Sequence, residues 1–272
     1  PNYPLTEQFG KFDKKFPNFN QELLISKSSG HVQLKYTLDQ NYLYSSKNYV
    51  YKTSPSLMNN NALNFFKKFI KKNHKGKLRS VLDIGGNDSY VINNISNKNT
   101  KKYVIDPMGS KKNGYKVKLI KKFLKDVNLS KDIMSPDLVI CRHTLEHIPN
   151  QKIFLKKLLN ECSDDCNFIF EVPSLERMIE TQRFDAIIHQ HINYFSIDTL
   201  EILIEKCGAQ IKSYKIYKDG SCGGTIIFFF QKIKKKRKEI VKIKNFKNKY
   251  ETIKTSIDNF KKNMALLKSL IE

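Results

Sequence analysis

The chain of 272 residues has no tryptophan, few cysteines and no long apolar run. Its densest apolar stretch, residues 226–230, has five residues, whereas a transmembrane helix needs roughly 18. The five cysteines are an odd number and sparse, which argues against a secreted disulfide scaffold. The sequence starts at Pro1 without a basic-then-apolar leader. We therefore predict a cytoplasmic protein, with this sequence a segment of a longer chain or a trimmed form.

Arginine is also scarce, since only five of the 49 basic residues are Arg. The net charge of +23 directs attention to nucleic acids and anionic membrane surfaces. However, the lysines are spread along the chain, and Lys lacks the planar fork with which Arg binds phosphates and base edges. We therefore favour a solvated basic surface that attracts a small anionic or sugar-like molecule. Nucleic-acid binding is the less favoured alternative.

The remaining composition is that of a folded protein, with 40% hydrophobic and 28% charged residues. Residues 1–60 are polar and rich in aromatics, and we expect an irregular cap lobe there. The predicted strands lie at residues 80–84, 103–106, 136–142, 167–172, 210–216 and 225–232, and the predicted helices at 61–72, 90–96, 117–124, 151–161, 175–181 and 197–207. This alternation predicts an α/β fold with a doubly wound parallel sheet, whose ligands bind beyond the carboxyl ends of the strands.

The tail has a different pattern. Between Ile240 and Ile271, apolar residues recur at alternating steps of three and four, which predicts one long amphipathic helix within residues 233–272. Two arrangements remain open. The helix packs against its own core or against a missing partner domain, or it forms a coiled coil that joins two copies in a homodimer.

The residues that carry chemistry begin where the first predicted strand ends. Small and acidic residues follow that strand, namely Asp83, Gly85, Gly86, Asn87 and Asp88. Such a turn lets the backbone approach a ligand at a helix start, where N–H groups are unpaired. The second strand ends at Asp106, and an acidic group there can accept both hydroxyls of an adenosine ribose. The turn lacks the three-glycine dinucleotide pattern, which favours a nucleotide ligand without a pyrophosphate.

Four segments resemble class I S-adenosylmethionine-dependent methyltransferases, and more narrowly the sugar C-methyltransferase family. They are Asp-Ile-Gly-Gly-Asn-Asp at 83–88, Cys-Arg-His-Thr-Leu-Glu-His-Ile-Pro at 141–149, Glu-Val-Pro at 171–173 and His-Gln-His-Ile-Asn-Tyr-Phe-Ser at 189–196. The last is the most specific. The resemblance spans nearly the whole chain and implies a Rossmann-like methyltransferase domain at 61–232, between a substrate lobe at 1–60 and a long helix at 233–272.

The resemblance also implies a cofactor, S-adenosylmethionine, and a set of site residues. Those expected at the cofactor are Asp83, Gly85, Gly86, Asn87, Asp88, Asp106, Arg142 and His143. Those expected at the acceptor are Tyr49, Tyr51, His147, Glu171 and Asn193. The catalytic group consists of His191, His189 and Tyr194. By this resemblance we expect His191 to be the general base, which removes a proton from the carbon next to a keto group of a sugar-derived, nucleotide-linked acceptor.

The chain departs from the family at two places. Ile188 and Gln190 stand where the family has Tyr and Glu, so a phenol and a carboxylate beside His191 are lost. Methylation of an oxygen or nitrogen of a surface-polysaccharide building block is therefore an open alternative, as is a nucleic-acid-binding protein with this fold. Residues 26–34 carry Ser instead of the family's zinc-binding Cys pairs, and no Cys precedes Cys141, so we predict no structural zinc and assign no metal ligands from the sequence.

Overall fold

The computed structural model describes residues 2–3, 5, 17–45, 57–110, 114, 116–233 and 246–271. The strands are β1 (Asn2–Tyr3), β2 (Phe19–Asn20), β3 (Leu23–Ile25), β4 (Val32–Leu34), β5 (Ser80–Ile84), β6 (Lys101–Ile105), β7 (Lys118–Ile120), β8 (Leu138–Arg142), β9 (Asn167–Pro173), β10 (Asn193–Tyr194), β11 (Ala209–Tyr217) and β12 (Thr225–Lys232). The α-helices are α1 (Gln40–Leu43), α2 (Leu57–Asn73), α3 (Tyr90–Ile95), α4 (Leu129–Asp132), α5 (Gln151–Glu161), α6 (Leu175–Glu180), α7 (Ile197–Lys206) and α8 (Phe246–Ile271). Single 3₁₀ turns include Leu145–His147 and Phe184–Ala186.

A seven-stranded sheet with the order β11-β12-β9-β8-β5-β6-β7 forms the centre of the molecule. The five strands from β9 to β7 pair in parallel, so the predicted doubly wound α/β fold is confirmed. The prediction of an all-parallel sheet was incomplete, because β12 runs antiparallel to both of its neighbours. The connection from β11 to β12 is too short for the crossover that a parallel pair needs.

Apolar side chains cover both faces of this sheet. Leu82, Val139 and Cys141 belong to one buried cluster, which includes residues of α5 and α7. Val81, Leu138 and other alternate residues of the same strands belong to a second cluster, which includes residues of α2 and α3. Alternating side chains point to opposite faces of a strand. The near-continuous apolar runs of β5 and β8 follow from this burial on both sides.

Two predictions about local structure were wrong. Residues 117–124 do not form a helix, because Lys118–Ile120 are strand β7, which pairs with β6 at the sheet edge. This pairing outweighs the weak local preference for a helix. The amino-terminal lobe is also more regular than expected. Its strands β3 and β4 form a three-stranded sheet with β10, in which Tyr194 pairs with Val32.

The long tail helix is confirmed as α8, which begins at Phe246; residues 234–245 lie outside the described residues. The middle of α8 packs against its own chain. The Phe260 ring lies 5.0 Å from that of Phe184, and Ile253 joins a third apolar cluster with residues of β4 and α6. Dimerisation through α8 and the three-part division of the chain stay predictions. No helix among the described residues is long and apolar enough to span a membrane.

Candidate active site

The turn after β5 has the backbone shape that its glycines allow. Gly85 has φ +71°, and a Cβ at this position would stand 2.9 Å from Cβ of Thr144. A Cβ on Gly86 would stand 2.8 Å from Oδ2 of Asp83 and 2.9 Å from Cγ1 of Val104. Neither position has room for a side chain, so the bare backbone forms the wall of the crevice.

Asp106 fixes this turn from the end of β6. Its two carboxylate oxygens accept hydrogen bonds from the backbone N–H of Asn87, at 2.9 Å, and of Met108, at 2.7 Å. The Asp88 side chain accepts a hydrogen bond from the N–H of Tyr90, at the start of α3. Burial raises the pKa of Asp106, although the two backbone hydrogen bonds oppose the shift. The predicted cofactor residues after β5 and β6 thus form one connected cradle.

Asp83 is buried beneath this cradle, and its Oδ2 has no hydrogen-bond partner within the described part of the chain. Burial raises the pKa of Asp83 to about 8; the charge of Arg142 opposes the shift, and the charges of Asp106 and Asp88 add to it. A buried polar atom without a partner costs free energy. Asp83 is therefore suited to a ligand that brings a donor or a positive charge.

Arg142 and Glu171 form a buried ion pair at the carboxyl ends of β8 and β9. The other oxygen of Glu171 accepts a hydrogen bond from Thr225 Oγ1 at 2.8 Å. The Arg142 guanidinium also lies over the Phe66 ring, at 4.8 Å from its centroid. Burial opposes ionisation of Glu171, but the charges of Arg142 and His143 outweigh it and hold its pKa below the usual value. Both residues, predicted from the resemblance, are engaged with protein partners.

The segment after β8 brings three further side chains to the same edge. His143 has φ +47°, an uncommon value for a residue with a side chain. Its Nδ1 lies 3.6 Å from Oε1 of Glu146, and its Nε2 lies 3.8 Å from Oε1 of Glu171. Burial lowers the pKa of His143, but the two carboxylates outweigh burial and raise it overall. Thr144 packs on Gly85, which joins this segment to the cofactor turn.

His147 and His191 come together around the carboxylate of Glu146. The potential ligand atoms of these three residues lie within 4.8 Å of one another, and Nε2 of His147 is 3.9 Å from Oε1 of Glu146. The two imidazole rings are 5.1 Å apart between centroids. We call this set of Glu146, His147 and His191 the histidine cluster.

Backbone carbonyls fix the tautomers of both imidazoles. Nδ1 of His147 lies 2.6 Å from the Gln190 carbonyl, and Nδ1 of His191 lies 3.0 Å from the Ala186 carbonyl. A carbonyl only accepts hydrogen bonds, so each Nδ1 carries a proton, and in the neutral imidazole the lone pair is then on Nε2. Burial and the neighbouring His147 lower the pKa of His191 to about 4, against the opposing charge of Glu146. His191 is therefore neutral at pH 7.

Glu146 is the functional candidate that the sequence predictions missed. It is 1% exposed, and neither carboxylate oxygen has a hydrogen-bond partner in the described ranges. Burial raises the pKa of Glu146, but His143 and the neighbouring imidazoles of His147 and His191 outweigh burial and lower it overall. Its position beside His147 in the segment after β8 was visible in the sequence. Its approach to His191, 45 residues later, depends on tertiary structure.

The other predicted catalytic residues lie outside the histidine cluster. His189 is buried, and its ring makes an edge contact with Phe19 at 5.6 Å. Tyr194 is buried in the third apolar cluster with Val32 and Met178, and burial raises its pKa. Their catalytic roles stay predictions. Tyr49 and Tyr51, predicted at the acceptor, lie outside the described residues.

Asn193 connects the amino-terminal lobe to the histidine cluster. Its Nδ2 donates to the Ile148 carbonyl at 2.8 Å and to the Glu146 carbonyl at 3.3 Å. Its Oδ1 lies 3.0 Å from Nε2 of His31 and also accepts from the Gln151 side chain. Asn193 is 2% exposed, so these contacts position the backbone of Glu146. Direct contact of Asn193 with an acceptor stays a prediction.

The crevice beside β5 and β6 fits S-adenosylmethionine. The glycines keep this turn free of side chains, the Asp83 Oδ2 has no hydrogen-bond partner among the described residues, and Asp106 follows the end of β6, where a ribose binds in this fold class. The molecule's sulfonium and amino groups are positive. Asp88 and Asp106 are close enough to Asp83 to raise its pKa, and these three acidic side chains would surround such groups.

Comparison with known proteins agrees with this geometry. A family model described as a methyltransferase domain matches residues 57–214, more than half of the chain. C-methyltransferase NovU of Streptomyces niveus is 32% identical over 92 residues, which are 34% of this chain and 21% of NovU. This match thus spans about a fifth of that relative's length.

Solved structures overlap with the chain more loosely. The N-methyltransferase NodS from Bradyrhizobium japonicum WM9 is 10% identical with a TM-score of 0.47, over 64% of this chain and 96% of NodS. The plantazolicin methyltransferase BpumL, solved with SAH, is 14% identical with a TM-score of 0.48, over 63% of this chain and 82% of BpumL. These identities and TM-scores are too low to assign this chain the acceptor of either protein. The family match and the crevice geometry make this chain a member of the methyltransferase domain family, with S-adenosylmethionine as its cofactor.

Proposed function

We propose that this protein transfers a methyl group to carbon in a small sugar-derived acceptor, best suited to a nucleotide-linked keto-sugar, with His191 as the general base. The observation that carries the proposal is the hydrogen bond that fixes Nδ1 of His191 on the Ala186 carbonyl. It leaves the Nε2 lone pair of a neutral imidazole at the edge of the sheet where the cofactor crevice lies. S-adenosylmethionine, when bound, supplies an electrophilic methyl group.

The closeness of the two halves of the site supports this assignment. The segment after β8 contacts the cofactor turn through Thr144 and Gly85, and three residues later it carries His147 of the histidine cluster. A base and a methyl donor must face the same acceptor atom, and such alignment accounts for much of the acceleration in a transfer between two bound molecules. The partial likeness to a protein named as a C-methyltransferase also supports carbon as the target.

The chain's own residues have separable tasks in this proposal. His191 Nε2 accepts the proton from the carbon beside the keto group. Proton transfer makes His191 a positively charged imidazolium, and the nearby Glu146 carboxylate stabilises that charge. His147 Nε2 borders the same space, and Arg142 and His143 hold the Glu171 side of the site. The buried surroundings limit water near the base.

The low pKa of His191 gives a specific reason to retain a second candidate. A base with a pKa of about 4 is weak for removing a proton from carbon, and it is adequate for an acceptor nitrogen or oxygen that is nucleophilic itself. Transfer to nitrogen or oxygen of a surface-polysaccharide building block is therefore the alternative proposal. Both candidates use the same cofactor crevice.

One experiment separates them. The purified protein is incubated with methyl-¹³C S-adenosylmethionine and a panel of nucleotide-linked keto-sugars, amino-sugars and their reduced forms. We expect release of S-adenosylhomocysteine with keto-sugars, and a product whose methyl carbon resonates in the range of a C-methyl group. A methyl signal in the O- or N-methyl range supports the alternative. No transfer to any sugar, with the cofactor demonstrably bound, contradicts both acceptor assignments.

A further inference from the structure

The histidine cluster has a buried carboxylate at its centre whose oxygens accept no hydrogen bond from the described residues. The Glu146 carboxylate is 1% exposed, and both of its oxygens lack hydrogen-bond partners within the ranges that the structure describes. A buried carboxylate is ordinarily paired, hydrogen-bonded or bound to a metal ion. The nearest imidazole nitrogens stand at 3.6 Å, on His143, and at 3.9 Å, on His147, beyond hydrogen-bond distance.

The two histidines of the cluster are arranged as metal ligands usually are. A ligating imidazole commonly donates its other N–H to a backbone carbonyl, which fixes the tautomer and directs the lone pair at the ion. His147 does so through the Gln190 carbonyl, and His191 does so through the Ala186 carbonyl. Both acceptors belong to the segment 186–190, which thus holds two imidazoles from distant positions of the chain, 147 and 191, beside one carboxylate.

We propose that Glu146, His147 and His191 bind one divalent transition-metal ion. Two imidazoles and one carboxylate form a ligand set that suits Zn²⁺, Co²⁺ or Fe²⁺ and leaves further coordination positions open, whereas Mg²⁺ and Ca²⁺ prefer oxygen ligands. The ligand atoms lie within 4.8 Å of one another. Tetrahedral ligand atoms at about 2.0 to 2.2 Å from an ion stand roughly 3.3 to 3.6 Å apart, so metal binding requires the widest pair to close by about 1 to 1.5 Å.

The metal site goes beyond the proposed methyl transfer, and a bound ion would interfere with that reaction. His191 has one lone pair, on Nε2, so a metal ion bound there occupies the electrons that would accept the acceptor's proton. A loaded cluster is therefore expected to suppress transfer to carbon. This relationship makes the two proposals separable, because metal binding is measured without turnover.

The binding test uses the full chain, stripped with a chelator and then titrated with Zn²⁺ by calorimetry and with Co²⁺ by visible absorption. We expect one ion per chain and a Co²⁺ spectrum of four- or five-coordinate type. Glu146→Gln and His147→Ala should each weaken the affinity by about 100-fold or more, since even changes behind the ligands cost 10- to 100-fold. His74→Ala removes a histidine outside the cluster and should leave the affinity unchanged.

Folding and cofactor binding are checked in parallel. Each variant is melted by circular dichroism and titrated with S-adenosylhomocysteine, so that loss of metal affinity in a folded, cofactor-binding variant supports the site. Equal affinities of the native chain, Glu146→Gln and His147→Ala, or the absence of a saturable one-ion event, overturn it. Turnover by the metal-free protein that stops on adding Zn²⁺ agrees with both proposals. Turnover that requires the ion refutes His191 as the free base and leaves the metal site standing.

Discussion

Arg142 and Glu171 are paired residues in the register of neighbouring parallel strands, and their side chains form a buried ion pair where both strands end. Thr225, from the antiparallel strand on the other side of β9, donates to the same carboxylate. Three strands are thus connected at the edge of the sheet that carries the site. The pair also borders Asp83, whose pKa Arg142 pulls downward against burial.

Replacing Glu171 tests how much the Arg142–Glu171 pair contributes to the free energy of unfolding. Glu171→Gln should lower the free energy of unfolding by about 3 kcal/mol, because it leaves the guanidinium of Arg142 buried without its partner charge. Chemical denaturation measures the change. Glu22→Gln is the control, since its ion pair with Lys35 is exposed and should give no measurable difference. Equal losses of unfolding free energy in the two variants would show that the buried pair stabilises the fold no more than the exposed pair does.

The left-handed turn at Gly85 should tolerate no side chain. Gly85→Ala should destabilise the protein and abolish binding of S-adenosylhomocysteine, because its Cβ would collide with Thr144 in addition to the strain at φ +71°. Gly208→Ala has a similar φ of +90° with nothing within 4 Å of its Cβ. It should cost only the conformational strain, about 1 to 2 kcal/mol, with normal ligand binding. Calorimetry on both variants distinguishes collision from strain.

Asp83 should make cofactor binding depend on pH. Its pKa is about 8 in the free protein, above the ordinary 3.8, so the protein progressively loses stability as the pH rises between these values. A cationic ligand beside Asp83 favours the carboxylate, and binding at pH 7 should therefore release a proton. The affinity should rise with pH towards 8, by up to about tenfold per unit.

Proton release is measured by titrating S-adenosylmethionine at pH 7 in two buffers with different ionisation enthalpies. The apparent binding enthalpy should differ between buffers for the native chain and agree between them for Asp83→Asn. A buffer dependence that persists in Asp83→Asn would assign the proton to another group.

His191→Ala should lower methyl transfer by about 100-fold or more while binding of S-adenosylhomocysteine stays measurable, because it removes the base and spares the cofactor crevice. Transfer of labelled methyl groups and calorimetry give the two readouts. His74→Ala, remote from the histidine cluster, is the matched control. Unchanged turnover in His191→Ala would remove this residue from the mechanism.

The contact between α8 and the body of the chain should also be measurable. Phe260→Ala should lower the melting temperature, because it removes the edge contact with Phe184. If this contact lies within one chain, the loss should be independent of protein concentration. A melting temperature that rises with concentration in the native chain, together with a dimer mass by light scattering, would instead support the predicted homodimer.

The fold was largely predictable because its strongest signals are local. Buried strands such as Ser80–Ile84 and Thr225–Lys232 are apolar runs bounded by turns, and their predicted limits match the structure. The edge strand β7 was missed, because Lys118–Ile120 becomes a strand only by pairing with β6. Likewise β3 and β4 depend on β10, which is about 160 residues away in the chain. No local pattern indicates such a partner.

The site was predictable where it lies on a single turn. Residues 83–88 and Asp106 carry a recognisable spacing, and the structure connects them through hydrogen bonds from the Asn87 and Met108 backbones. The role of Glu146 was not predictable from spacing. Its significance arises from burial without a partner and from the approach of His191, and both are properties of the folded chain.

Strand β10 has one neighbour in the small sheet, β4, and its residue Asn193 holds the carbonyls of Glu146 and Ile148. The cofactor cradle is instead formed after β5 and β6, which belong to the central sheet. Residues 31–34 include β4, which pairs with β10. We therefore expect substitutions there to change which acceptor is methylated and to leave the affinity for the methyl donor unchanged. Such changes would diversify acceptor choice without disturbing the turn that binds the methyl donor.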